Sequence, residues 1–288
     1  MRTSFLTLLI TLFGGLISLS AQDFFSAPPV EDIPVAPLIG NIEARSTQSL
    51  NGTWNALIDP SVFSLNDRMH YLERNYKPEP SELVELSIED GLTLQVPGDW
   101  NTQDDRLFFY NGKVWYKRDF YVQKKADKRY FLHFGAINYK AQIYVNGIHV
   151  ASHTGGYTSF NCEVSEQLRE GDNFIVIKVN NALTNDDIPT TSTDWMNYGG
   201  ITRDVNLVEL PQSFIRNYKL QLAKGQNNRM EGWVEMEGTK SATVKLDIPE
   251  LNISQSLTIE NGRANIVIEA KPTLWSPDNP KLYEVRLS

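Results

Sequence analysis

Lys140-Ala141-Gln142-Ile143-Tyr144-Val145-Asn146-Gly147-Ile148-His149-Val150-Ala151 holds a short run of strand-forming residues, an Asn-Gly pair and a second such run. Asn-Gly tolerates the positive φ angles that a two-residue hairpin turn requires, so the stretch predicts two antiparallel strands folded tightly back on each other. The pattern spreads in both directions. Upstream, residues 50–59 combine a turn with an alternating run that points Trp54 inward, and residues 92–96, 113–122 and 129–134 read as further strands. Downstream come 174–179 and 205–210. Many short strands with turn residues between them, and almost no helical period, make an all-β protein built as an antiparallel sandwich or jelly roll.

Pro211 closes that unit and the pattern restarts. Runs at 218–222, 230–236, 242–248, 255–259, 264–268 and 282–287 place six or seven short strands within 212–288, the density of a small immunoglobulin-like β-sandwich. Residues 45–211 are therefore assigned to the jelly roll and 212–288 to the immunoglobulin-like unit. Residues 22–44, with Pro28, Pro29, Pro34 and Pro37, read as an extended lead-in lying on a surface. Residues 67–90 are charged and poorly periodic, and read as a long excursion. Residues 1–21 carry Arg2, an apolar run from 5 to 19 and small residues up to Ala21, the pattern of a secretory signal peptide. The expected location is secreted or periplasmic.

Composition removes several functions. The formal charge is −8 with Lys and Arg dispersed, so nucleic-acid binding has no electrostatic basis. Cys162 is the only cysteine, which excludes an intramolecular disulfide and suits a buried small hydrophobe better than a nucleophile. His70, His133, His149 and His153 lack ligand spacing and read as satisfied structural side chains. The adjacent pairs Asp104-Asp105 and Asp186-Asp187 read as solvated loop carboxylates. With no nucleophile elbow, metal-spaced set or phosphate-cradling loop, no catalytic residue, metal or cofactor is expected.

The segment Thr193-Asp194-Trp195-Met196-Asn197-Tyr198-Gly199-Gly200-Ile201-Thr202-Arg203-Asp204-Val205 reads as a sugar-facing loop that runs into a strand. Its aromatic rings can stack on the apolar face of a pyranose. Asp194 and Asn197 can hydrogen-bond hydroxyls, and Gly199-Gly200 lets the backbone turn.

Five separated motifs occur in order: Val96-Pro97-Gly98-Asp99-Trp100; Tyr110-Asn111-Gly112-Lys113-Val114-Trp115-Tyr116-Lys117-Arg118; Val145-Asn146-Gly147 with Gly155-Gly156-Tyr157; Val179-Asn180-Asn181; and the Asp194 loop. Together they resemble the amino-terminal sugar-binding domain of glycoside hydrolase family 2, β-glucuronidases most and β-galactosidases second. Leu274-Trp275-Ser276-Pro277-Asp278-Asn279-Pro280-Lys281-Leu282-Tyr283 is similar to the end of that family's immunoglobulin-like second domain.

The resemblance implies a galactose-binding-like jelly roll at the front of an exported, retaining β-glycosidase. It places the two catalytic glutamates, about 5 Å apart, on a TIM barrel of about 250 residues. No glutamate of this sequence matches either of them, so these residues are expected to be inactive alone. The implied partners are a β-linked glucuronide or galactoside, the barrel domain and, as family members often associate through their front domains, a second copy of the chain. Asp194 matches the aspartate that touches the terminal sugar, with Asn197 and Tyr198 as secondary contacts; a turn-capping role for Asp194 stays open. Trp115 and Tyr116 are expected to pack, and Arg118 to form an ion pair. A stand-alone carbohydrate-binding module is the alternative.

Overall fold

The computed structural model describes residues 32–59, 88–89 and 91–288. The expected signal peptide, the start of the lead-in, His70 and nearly all of the 67–90 excursion lie outside the described residues. Among the described residues, no helix is long and apolar enough to cross a membrane.

The chain is all-β. Its first twelve strands are β1 (Ser46–Ser49), β2 (Gly52–Asp59), β3 (Leu92–Val96), β4 (Gly98–Asp99), β5 (Lys113–Val122), β6 (Lys128–Phe134), β7 (Lys140–Val145), β8 (Ile148–Thr154), β9 (Phe160–Glu163), β10 (Gly171–Asn180), β11 (Gly200–Ile201) and β12 (Val205–Pro211). They form a four-stranded sheet in the order β1-β12-β6-β9, a six-stranded sheet in the order β3-β2-β5-β10-β7-β8, and the small β11-β4 pair. Alternation decides which side chains lie between the two large sheets. Trp54, Tyr116, Ile143, Ile175 and Ile177 from the six-stranded sheet meet Leu132, Phe134, Phe160, Cys162 and Leu207 from the four-stranded one in a single core. The opposite parity of the six-stranded sheet carries Leu57, Trp115, Tyr144, Phe174 and Val176 on its outer face, where Ile88 joins them.

The Asn-Gly hairpin forms as its chemistry dictates, with Asn146 at φ 49° and Gly147 at φ 84° between β7 and β8. Asn146 also serves the packing, since its amide donates to Asn173 Oδ1 at 2.7 Å and accepts from the Phe174 N–H at 3.0 Å. Cys162 is buried on β9, and that burial pushes its thiol up to about 12, which leaves it protonated at neutral pH.

The remaining strands are β13 (Phe214–Leu222), β14 (Arg229–Glu237), β15 (Ser241–Ile248), β16 (Ile253–Glu260), β17 (Arg263–Glu269) and β18 (Arg286–Leu287). Their order is β13-β14-β17-β16-β15-β18. β17 and β16 pair only at Glu260 and Arg263, so this narrow hinge divides the strands into two three-stranded layers. Met230, Val234, Ile266 and Ile268 of one layer and Val244, Leu246, Ile248, Leu257 and Ile259 of the other bury into one cluster. A strand was expected over 282–287, but only Arg286 and Leu287 join a ladder. Tyr283 and Val285 pack on the cluster from irregular backbone.

Two further expectations are corrected. The lead-in does not merely lie on a surface: Ile39 is buried with Phe131, Val208, Leu210 and Phe214, where the outer face of the four-stranded sheet meets β13. Arg118 makes no ion pair among the described residues. It donates to the Thr53 carbonyl at 3.0 Å instead, and its ladder partner is the apolar Ile175.

Charge closes the same junction. Arg129 donates to Glu163 and to Glu237, each at 2.6 Å, while Arg216 pairs with Glu237 and lies 5.7 and 5.5 Å from the ring centroids of Phe131 and Phe214. Arg216 also donates to the Pro37 carbonyl, and the Gly40 N–H donates to the Arg216 carbonyl at 2.8 Å. Ile39→Ala should therefore cost about 2–5 kcal/mol, the usual range for emptying a packed aliphatic site. Denaturant unfolding checks this, and a change near zero would mean the lead-in is not structural.

Candidate functional site

The site is built on the turn that leaves β10. Asn181 follows the last residue of that strand and is fully buried. Its Oδ1 accepts from the Gly112 N–H at 2.8 Å, and its Nδ2 donates to Asn111 Oδ1 at 3.1 Å and to the Asn197 carbonyl at 2.8 Å. Two more buried amides complete the cradle. Asn138 Nδ2 donates to Asn197 Oδ1 at 2.9 Å and to the Tyr198 carbonyl at 2.5 Å. Asn101 Oδ1 accepts from the Gly199 N–H at 2.9 Å, while its Nδ2 reaches the Leu107 and Tyr110 carbonyls.

The glycines explain how the loop approaches so closely. A Cβ on Gly199 would stand 2.1 Å from the Trp100 ring, and Gly200 sits at φ +142° against the backbone of Gly98. Beyond Gly200 the chain pairs with β4, and backbone bonds run both ways between Gly200 and Asn138 at 2.9 and 3.1 Å.

The tip of the loop differs from its base. Asp194 is exposed and its carboxylate has no hydrogen-bond partner among the described residues. The turn there is held instead by Thr193 Oγ1, which donates to the Trp195 carbonyl at 3.2 Å. Trp195 and Tyr198 are 59 % and 44 % exposed. Asn197, grouped with them from the sequence, is used internally: its Oδ1 accepts from Asn138 and its Nδ2 donates to the Asn181 carbonyl. Asp194 and Tyr198 thus face outward, and Asn197 holds the frame.

The other polar candidates have structural duties. Asp104 accepts from the Arg106 N–H at 2.9 Å and pairs with the Arg106 side chain, whose hydrogen bond lowers the Asp104 carboxyl to about 2. Burial would raise Asp187, but hydrogen bonds from Lys140, at 3.0 Å, and from Thr184 outweigh it and hold the carboxyl below its ordinary value. His149 meets Ser152 Oγ at 3.1 Å, and His153 stacks on Phe160 at 4.0 Å. Both are lowered by burial. His133 departs from the expectation of satisfied histidines, since its buried Nδ1 lacks a partner; burial lowers its pKa, which favours the neutral ring. No group of three or more His, Cys, Asp or Glu among the described residues is arranged to hold a metal ion.

Residues 47–211 match the sequence description of the glycosyl hydrolases family 2 sugar binding domain. The chain belongs to glycosyl hydrolase family 2. It is 26 % identical over 237 residues to the β-glucuronidase of Mus musculus, covering 71 % of this chain and 35 % of the relative. It is 29 % identical over 202 residues to a β-galactosidase of Thermoanaerobacter pseudethanolicus, covering 61 % of this chain and 26 % of the relative. The chain thus spans about a third or less of these curated relatives. Among solved structures, β-glucuronidase from Lactobacillus rhamnosus superimposes with a TM-score of 0.66 at 26 % identity, over 88 % of this chain and 42 % of the other. A Bifidobacterium dentium β-glucuronidase complexed with coumarin-3-O-glucuronide does so with a TM-score of 0.70 at 20 % identity, over 87 % of this chain and 44 % of the other, a likeness of fold.

In this family-2 chain the sequence pointed to the loop and missed its supports. Asn101 and Asn138 were not singled out, although both are buried and hydrogen-bonded to the loop. The Asn180-Asn181 pair directly after an apolar strand was the available signal. Asn181→Ala should destabilise the protein by about 1–3 kcal/mol, because it strands the buried Gly112 N–H. Amide exchange should quicken over 184–200 and stay unchanged in β14 and β17. Protection that is unaltered in the loop would show that the cradle does not hold it.

Proposed function

We propose that these residues form the front portion of an exported retaining β-glycosidase, β-glucuronidase-like in specificity. In this reading the loop over 184–200 walls one side of the sugar pocket, and Asp194 hydrogen-bonds the terminal sugar. The observation that carries it is an exposed, unpartnered carboxylate at the tip of a loop whose base is fixed by three buried amides. A carboxylate can accept from two vicinal hydroxyls at once, and a fixed base keeps it from losing much freedom on doing so. Likeness to a β-glucuronidase and a β-galactosidase supports a β-linked glucuronide or galactoside as the substrate class. Export rests on the sequence of residues 1–21, and the jelly-roll description on the two-sheet core between β1 and β12.

Double displacement needs two carboxylates about 5 Å apart, flanking the scissile bond. On this reading a partner barrel supplies both, and the 288 residues alone leave aryl β-glucuronides and β-galactosides uncleaved. Turnover that survives purification and disappears on mutating a glutamate of this chain would overturn that.

In an enzyme that joins these residues to a family-2 barrel, Asp194→Ala should lower kcat/KM by about 10- to 100-fold, the worth of one hydrogen bond to a charged group. Stability should move by no more than about 0.5 kcal/mol, as for other surface substitutions. Steady-state kinetics with thermal unfolding decides the matter. Intact kinetics with a large loss of stability would make Asp194 a turn residue.

The exposed Trp195 and Tyr198 also suit a second reading, a stand-alone carbohydrate-binding module that stacks a glycan on these rings. Glycan binding by the chain alone that disappears in Trp195→Ala, in the absence of any barrel, would favour that reading.

A further inference from the structure

The outer face of the six-stranded sheet carries a second polar feature, away from the Asp194 tip. Register sets it out as a grid. Asn180 on β10 lies opposite Lys113 on β5 and Lys140 on β7, and Lys140 lies opposite Thr154 on β8. Two residues along each strand, on the same face, Lys178 lies between Trp115 and Gln142, and Gln142 lies opposite Ser152. Neighbouring strands stand about 4.8 Å apart, so Lys113 and Lys140 flank Asn180 with backbones about 10 Å apart, a spacing that one sugar ring can bridge.

The grid is concave. A cleft of about 330 Å³ is lined by these residues together with Asp32, at the small end of ligand-site volumes. Its edge is closed by the lead-in, where the Ser152 N–H donates to the Ile33 carbonyl at 2.7 Å. The floor carries three ammonium groups, two of which are held in place. The Lys178 ammonium lies 5.0 Å from the Trp115 ring centroid, and Lys140 is held by its 3.0 Å pair with Asp187.

Donors outnumber acceptors in the cleft. The Lys113 ammonium, the Gln142 amide and the Thr154 hydroxyl have no hydrogen-bond partner among the described residues, and Asn180 spends only its Oδ1, on the Ala182 N–H at 3.0 Å. Among the described residues three carboxylates stand near. Asp187 is consumed by Lys140 and Thr184, Asp59 is fully buried with Oδ2 3.4 Å from the Trp115 indole nitrogen, and only Asp32 reaches the rim.

From this geometry we infer that the cleft over β5, β10 and β7 binds an acidic sugar, with its carboxylate or sulfate ester against Lys113 and its hydroxyls on Asn180, Gln142 and Thr154. The site adjoins the base of the 184–200 loop through the Lys140–Asp187 pair and uses none of the residues at the loop's tip. It gives the chain a way to hold an anionic glycan while another part of the molecule acts on it.

Isothermal titration of the purified full chain tests this with three probes: trigalacturonate, galactose 6-sulfate and neutral maltotriose. The uronate or the sulfated sugar should bind, which of them does so naming the anionic group, and maltotriose should not. Lys113→Gln should weaken binding by about tenfold, the cost of losing one charge-assisted contact. Gln142→Glu, which sets a carboxylate in the same cleft, should abolish it. Both residues are partly exposed, and unchanged thermal midpoints would show that the variants fold. Absence of binding by both acidic probes, equal binding of maltotriose, or affinity untouched in both variants would overturn the proposal. So would loss of binding in Asp194→Ala with none in Lys113→Gln, which would put the sugar on the loop.

Discussion

An amide side chain withdrawn from water must find partners for its carbonyl and its NH₂ group, and the loop end of the first two-sheet unit is organised by that requirement. Asn101, Asn138 and Asn181 are all buried, and each hydrogen-bonds loop backbone, Asn138 and Asn181 adding the side chains of Asn197 and Asn111. They bind the segment before β5, the turn after β10 and the approach to β11 into one body. Because the donors and acceptors of a planar amide are fixed in direction, the cradle specifies a loop conformation that apolar packing would only favour.

The other end depends on charge stacked over aromatic rings. Arg129 and Arg216 share Glu237, and both lie over Phe131 and Phe214. The hydrogen bond from Arg129 holds the Glu163 carboxyl below its ordinary value. A depressed carboxyl stabilises the fold above its unfolded pKa, and the contribution is lost as pH falls through the folded value. Acid therefore loosens the Arg129 network while leaving the apolar cluster around Ile39 in place.

Legibility in the sequence followed the range of the interactions. The β7–β8 hairpin and strand β5 were readable because Asn-Gly and simple alternation are local signals. The burial of Ile39 was not, because it requires the lead-in, the outer face of β6 and β12, and Phe214 to meet across more than 170 residues of chain. Alternation at Tyr283 and Val285 reported burial correctly, yet a ladder also needs a neighbour strand, and only Arg286 and Leu287 have one. At the site, Asp194 and Tyr198 lie outward, as a polar-aromatic loop suggests. The internal hydrogen bonds of Asn197 were not legible, because an asparagine in a loop looks the same in sequence whether it meets a ligand or its own backbone.

Gly199 and Trp100 draw a boundary within the loop. On one side a single added methyl group collides with an indole; on the other, residues 191–195 are largely exposed and, among the described residues, bonded only within the loop. At the base Trp100 bars any side chain larger than hydrogen, while the tip has room for other side chains. The tip can therefore take another length or chemistry without disturbing the buried frame that carries it.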